Sequence, residues 1–417
     1  MTARRRSQIA WALYDWGNSA FATTVLAGFF PIFLAKYWAA GLPEGERTYW
    51  LGWAGSIASL FVMLLAPLLG GIADRRGLKK RFLFFTTLLG ACTTAALFSV
   101  PQHDWQSALI LFTLASVGFS AGISFYDSLI VHVADADEMN RVSALGYGLG
   151  YLGGGVLFAV NVAMALKPGV FGITDAATAT RIAFLSAGFW WMLFALPLFW
   201  FVPETPSTHA QGNDLQALWQ TLKALRGQKN IWLFLLAYWL YIDGVDTIIR
   251  MAVDYGVKLG FSSSSLITAL LLVQFIGFPA AIAYGWLGQR IGTQRAILTA
   301  IAAYAAVTAW AYTLQTEAQF YWMAAAIALV QGGIQALSRS FYAQLIPADA
   351  AGQYFGFYNM LGKFAAVLGP LAVGFTAAAF PDNQRLSILA LLPFFVVGGF
   401  LLTRVSPAPR NSQAVSA

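Results

Sequence analysis

Charge is scarce in this sequence. Only 10% of its 417 residues are Asp, Glu, Lys or Arg, against about 25% in an ordinary soluble chain. Cysteine is scarcer still. Cys92 stands alone in an apolar run, which excludes an internal disulfide and any cysteine-cluster metal site. Three scattered histidines with no HExxH arrangement offer no metal centre. There is no GxxxxGK[ST] loop to cradle a nucleotide phosphate, so ATP does not drive the protein by that route. No enzyme motif and no cofactor motif is found. The formal charge of +7 is spread over short loops, with no basic polar domain to hold nucleic acid. No small-residue cleavage site follows the basic start MTARRRSQIAW, so the apolar run after it is expected to stay as a first membrane helix.

Apolar sequence fills the space that charge leaves. The chain is 59% hydrophobic, with 15 Trp and 33 Phe. A membrane-spanning helix needs about 20 mostly apolar residues. Twelve such runs are predicted, over 9–36, 49–73, 82–101, 106–132, 142–166, 181–202, 230–254, 262–288, 296–315, 320–345, 354–378 and 386–404. An even number puts both termini on one side. With that side inside, the inner loops and termini carry most of the Lys and Arg, as the positive-inside rule requires. The expected protein is therefore an all-α integral membrane protein of the bacterial inner, or plasma, membrane, with cytoplasmic termini. The longest polar stretch, 203–229, reads as a cytoplasmic linker between halves 1–202 and 230–417. Within it Leu215, Leu218, Trp219, Leu222 and Leu225 share one helical face, which predicts a short helix on the membrane surface ending at Gly227.

The halves echo each other. Gly70 to Arg81 reads GGIADRRGLKKR, and a fainter copy, GWLGQRIGTQR, runs from Gly285 to Arg295. Aligned on Gly70 and Gly285, Arg75 meets Arg290, Gly77 meets Gly292 and Lys80 meets Arg295, while Asp74 meets Gln289. SFYDSLI at Ser124–Ile130 returns as SFYAQLI at Ser340–Ile346, and Leu13-Tyr14 with Gly17 returns as Leu240-Tyr241 with Gly244. Matches in chain order at similar shifts indicate a repeat. Six helices per half make the two repeats parallel, as in major facilitator transporters.

Ionisable residues inside membrane helices are costly and therefore candidates for function. Asp243, Asp246, Arg250 and Asp254 follow spacings of three, four and four, which put them on one face of the seventh helix. Such a stripe either faces a wet cavity or forms an internal ladder. Asp15 and Asn18 lie one turn apart in the first helix. Lys363 lies in the eleventh and needs a carboxylate partner, with Asp243, Asp246 and Asp15 available. Asp127 and His132 sit near the inner end of the fourth helix, and Gln335 and Arg339 in the tenth; there an inner-gate role competes with transport. Asp15, Asn18, Asp127, Asp243, Asp246, Gln335 and Lys363 are the expected substrate or proton pathway. Gly146, Gly148, Gly150, Gly153, Gly154 and Gly155 allow close helix packing in the fifth helix. Gly369-Pro370 predicts a kink in the eleventh.

Gly70-x-x-x-Asp74-Arg75-x-Gly77-x-Lys79-Lys80 resembles the signature loop between helices 2 and 3 of the major facilitator superfamily. Its expected role is a conformational switch, with Asp74 holding the ends of helices 2 and 11 together through hydrogen bonds and the positive end of helix 11. WALYDWGNSAFATT from Trp11, RVSALGYGLGYLGGG from Arg141 and GGIQALSRSFYAQLIPADAAGQYFGFYNMLGKFAAVLG from Gly332 resemble the vacuole effluxer-like family. Gly17 replaces an expected alanine, and Asp127 an expected asparagine. The proline that would complete the superfamily's antiporter signature in the fifth helix is absent. The resemblance implies a twelve-helix secondary transporter whose fungal relatives export neutral amino acids. Efflux of a small polar or zwitterionic solute, coupled to protons, is the leading expectation. A multidrug exporter of lipophilic cations and a non-transporting receptor or scaffold are the rivals. Membrane lipid is the expected surrounding, and no oligomer is required.

Overall fold

The computed structural model describes residues 2–205, 223, 227–258, 260–380 and 385–406. The surface helix expected from Leu215 to Leu225 lies outside the described residues. In the first half the helices are α1 (Ala3–Trp38), α2 (Glu44–Arg76), α3 (Lys79–Ala96), α4 (Trp105–Ser128), α5 (Met139–Leu166) and α6 (Ala176–Phe201). In the second they are α7 (Lys229–Lys258), α8 (Ser263–Ile291), α9 (Thr293–Ala311), α10 (Glu317–Leu345), α11 (Ala351–Ala379) and α12 (Leu392–Thr403), the last preceded by a turn at Leu386–Leu389. No strand occurs among the described residues.

Eleven of these helices are long and apolar enough to cross a membrane. The ninth, α9, falls short because Gln294 and Arg295 in its first turn lower its mean hydropathy. Its 19 residues still reach about 28 Å at the helical rise, close to the thickness of a bilayer core. The first helix starts at Ala3, six residues before the apolar run predicted to begin at position 9, and takes in the basic triplet. Thr2 caps it by accepting from the Arg5 N–H. Farther along, α1 widens into π winding over Phe21–Phe29 and Leu34–Trp38. Pro31 lies between these stretches and can supply no N–H.

The repeat seen in the sequence is also a repeat in packing. In the first half α1 packs on α5 and α6, α3 on α4 and α6, and α2 on α4. In the second half α7 packs on α11 and α12, α9 on α10 and α12, and α8 on α10. The halves meet mainly along two seams, α2 with α11 and α5 with α8, flanked by α4 against α11 and α10 against α5, and each seam is the repeat equivalent of the other. Both depend on small residues. A Cβ at Gly70 would meet the carbonyl of Gly352, and one at Gly285 would meet the Ala144 side chain. The α2–α11 seam is therefore tight at the end that carries the Gly70–Arg81 loop.

This geometry gives a direct expectation for Gly70→Ala. Overpacking of a tight contact costs about 1–3 kcal/mol. The melting temperature should fall and trypsin should cut faster at Arg75 and Arg76. Unchanged melting and cleavage would show that α2 shifts freely and that the close approach carries no load.

Candidate functional site: buried charges between the halves

The Gly70–Arg81 loop turns at Gly77, whose φ of 61° is left-handed and which closes α2 by donating its N–H to Ala73. Only glycine takes that conformation without strain. Asp74 lies one turn earlier, on the inner face of α2, where it is buried. Its Oδ1 accepts from the Gly352 N–H at 2.9 Å and its Oδ2 from the Gln353 N–H at 2.8 Å. These are first-turn amides of α11, which have no partner within their own helix, and the helix dipole favours an anion there. Lys79 Nζ completes the set at 2.8 Å from Asp74 Oδ1, and it also lies 3.2 Å from His132 Nε2. Lys80 donates to the Val202 carbonyl at 2.8 Å, and Glu204 accepts the backbone N–H groups of both Lys79 and Lys80. The loop thus ties α2, α3, the end of α4 and the end of α6 to the start of α11.

The second seam is tied differently. Asn140, at the start of α5, donates to Thr293 Oγ1 at 2.8 Å and accepts from Ser340 Oγ at 2.6 Å. Gln289, the repeat equivalent of Asp74, donates to the carbonyl of Asp137 just before α5. The position is kept, but here a neutral amide stands where the first seam has a charge.

A second charge cluster lies deeper. Arg339 of α10 is almost wholly buried. Its Nη1 reaches Asp127 Oδ1 on α4 at 3.0 Å and Asp15 Oδ2 on α1 at 3.4 Å. Its Nε donates to Ser143 Oγ and its Nη2 to the Ser143 carbonyl, both at 2.9 Å, on α5. The guanidinium lies 4.7 Å from the Trp11 ring centre and 4.3 Å from that of Tyr147, a cation–π arrangement. Tyr126 donates to Asp15 Oδ2 at 2.8 Å, and Asn359 of α11 donates to Asp127 Oδ2 at 3.2 Å. One cation from the second half is therefore gripped by three helices of the first. Trp11 Nε1 donates to the Tyr126 carbonyl at 3.0 Å, which braces α1 against α4.

The third group lies in the second half. Asp243 is fully buried; its Oδ1 accepts from the Gly369 N–H at 2.9 Å and from Thr247 Oγ1 at 3.3 Å. Asp246 is half-buried and faces the charges of Arg250 and Lys363. Neither lysine nor arginine forms an ion pair with it among the described residues. Gln335 of α10 accepts from Tyr151 of α5 at 3.4 Å, and Asn18 is buried in α1. The side chain of Asp254 lies outside the described residues.

A family model described as "Vacuole effluxer Atg22 like" matches residues 53–137 and 131–414. The MFS-type transporter YxiO of Bacillus subtilis (strain 168) is 37% identical over 96% of this chain and 95% of its own length. The chain belongs to the vacuole effluxer Atg22-like family. Autophagy-related protein 22 of Yarrowia lipolytica is 26% identical over 73% of this chain, which spans only 57% of that fungal protein. Among solved structures, the human organic anion transporter MFSD10 (TETRAN) aligns with a TM-score of 0.73 over 96% of this chain and 100% of that one, at 16% identity. The proton:xylose symporter XylE aligns at 0.72 over 97% and 95%, at 15% identity. At such identities the likeness shows the fold, which is that of the major facilitator superfamily. This Atg22-like chain is thus a multi-pass membrane transporter of that superfamily.

In this Atg22-like transporter five of the seven expected pathway residues fall into two groups. Asp15 and Asp127 meet on Arg339, while in the second half Asp246 faces Lys363 and Asp243 is tied to the α11 backbone. Asp15, offered as a partner for Lys363, is instead engaged by Arg339. Arg339 stands out in the sequence without a partner, and Ser143, Asn140, Asn359, Tyr126 and Tyr147 do not stand out there. Each is a polar residue in an apolar helix, but such residues are frequent in this chain and their spacing does not distinguish them.

Proposed function

We propose that this chain is a secondary transporter that exports a small polar or zwitterionic solute by alternating access, driven by protons. The observation that carries the reading is the Arg339 cluster. It binds the two halves through buried charge, on the side where Asp74 also ties the first seam. A lock at one end is what rocking of one half against the other requires. Buried carboxylates supply groups that could take and release protons. We place the tied end, with the Gly70–Arg81 loop and both termini, in the cytoplasm of a bacterial cell, because its bases outnumber those of the opposite loops.

Purified protein in proteoliposomes tests the reading. Internal solute should leave or exchange with movement of protons, and a panel of amino acids, sugars, nucleosides and cationic dyes should identify the class. Dye-driven proton movement alone would make the protein a lipophilic-cation exporter. Solute binding with no flux of any panel member would make it a receptor.

A further expectation concerns Lys363 and Asp246, which lie close to each other without an ion pair. An isolated charge at the centre of a membrane helix costs about 3 kcal/mol. Lys363→Ala and Asp246→Asn should each abolish proton-driven transport, and the double mutant should recover exchange better than either single one. A double-mutant cycle measures the coupling. Strictly additive losses would show that the two residues act separately.

A further inference from the structure

Asp243 is enclosed in a way that its neighbours in the site are not. Its Oδ1 is held by the Gly369 amide and the Thr247 hydroxyl, but its Oδ2 is buried with no hydrogen-bond partner. Around it α7 brings Asp246 and Thr247, α11 brings the Gly369 backbone, α12 brings Phe395 against neighbouring Gly244, and α10 brings Ser338 against Tyr241. The charged group among these is Asp246, which has the same sign. Lys363 and Arg250 face Asp246 instead. An ionised carboxylate here would bury a charge with one bare oxygen and no cation, a cost of several kcal/mol. A neutral carboxylic acid removes that charge.

We propose that Asp243 is a proton-binding site, filled in this conformation and held in place by the Gly369–Pro370 step inside α11. The inference rests on the transport reading above and names the residue that would carry the proton. The step matters in two ways. Pro370 has no N–H, so α11 is weakened at that point. Gly369 has no Cβ, and one placed there would run into Asp243 Oδ1 and the Thr247 side chain, so only glycine lets the carboxyl reach the backbone. Loss of the proton leaves a bare charge that is drawn toward Lys363, about 9 Å earlier along the same helix. Proton release is thereby linked to movement of α11 against α7.

Infrared difference spectroscopy between pH values, on the full chain in lipid nanodiscs, tests this without substrate or flux. A protonated aspartate carboxyl band should be present at neutral pH and vanish on alkalinisation. It should be missing in Asp243→Asn and kept in Asp246→Asn. If Asp243→Asn does not fold, Asp243→Glu decides by moving the band. Gly369→Ala removes the approach to the amide that favours the ionised form, so the band should persist to higher pH; an unchanged titration there would overturn the role of the Gly369–Pro370 step. A band indifferent to Asp243→Asn and Asp243→Glu overturns the site, as does a band lost with sodium at fixed pH, which would mean a metal cation at Oδ2. Failure of proton-coupled flux with the band intact defeats the transport reading alone. Flux with no such band defeats the assignment of Asp243 alone.

Discussion

Arg339→Gln should abolish transport and lower the melting temperature more than any other single substitution in the bundle. The guanidinium is 2% exposed and faces two carboxylates that are 12% and 4% exposed. Removing it leaves Asp15 and Asp127 buried near each other with no cation between them. Breaking a buried pair in this way costs about 3–5 kcal/mol. Arg339→Lys keeps the charge but not the planar fork that reaches Asp127, Asp15 and Ser143 together, so it should recover only part of the loss. Adding Asp127→Asn to Arg339→Gln removes one orphaned charge and should restore melting temperature more than turnover. Near wild-type melting and flux for Arg339→Gln would mean that water reaches the cluster and that it does not hold the halves together.

Asp74→Asn should slow transport about 10- to 100-fold while leaving solute affinity within a few fold. Hydrogen bonds to a charged group contribute about 1.5–3 kcal/mol. Asp74 accepts two of them from α11 and pairs with Lys79. The amide keeps the size, loses the charge and turns an N–H toward groups that are themselves donors. The closed arrangement of this end then becomes less populated, so turnover changes and the binding site does not. Solute binding and flux measured on the same protein separate the two. A large loss of affinity at normal turnover would place Asp74 in the binding site and end its role as a latch.

The two loops show what a repeat in sequence transmits. Asp74 and Gln289 are equivalent positions, and both contact the start of the helix across their seam. That correspondence follows from the alignment alone, because backbone position is inherited with the repeat. The energy is not. A buried carboxylate on two helix-end amides is a strong tie, whereas a surface amide on one carbonyl is a weak one. The two seams therefore need not open under the same conditions.

Membrane helices were legible in the sequence because lipid imposes one simple rule. Every spanning segment must be apolar and about 20 residues long, and runs of that kind stand out without any knowledge of neighbours. The same rule marks Asp15, Asp127, Asp243, Asp246, Arg339 and Lys363 as unusual, since each breaks an apolar run. Pairing is different. Arg339 lies 324 positions from Asp15 and 212 from Asp127, and nothing local to any of the three encodes the others. Lys363 had three acids within reach on sequence grounds; packing gave Asp15 to Arg339, gave Asp243 to the α11 backbone, and left Asp246 facing the lysine. Hydrophobicity belongs to a segment and can be read along the chain. The partner of a buried charge belongs to the rotation and tilt of two helices, which only their packing against all the others decides.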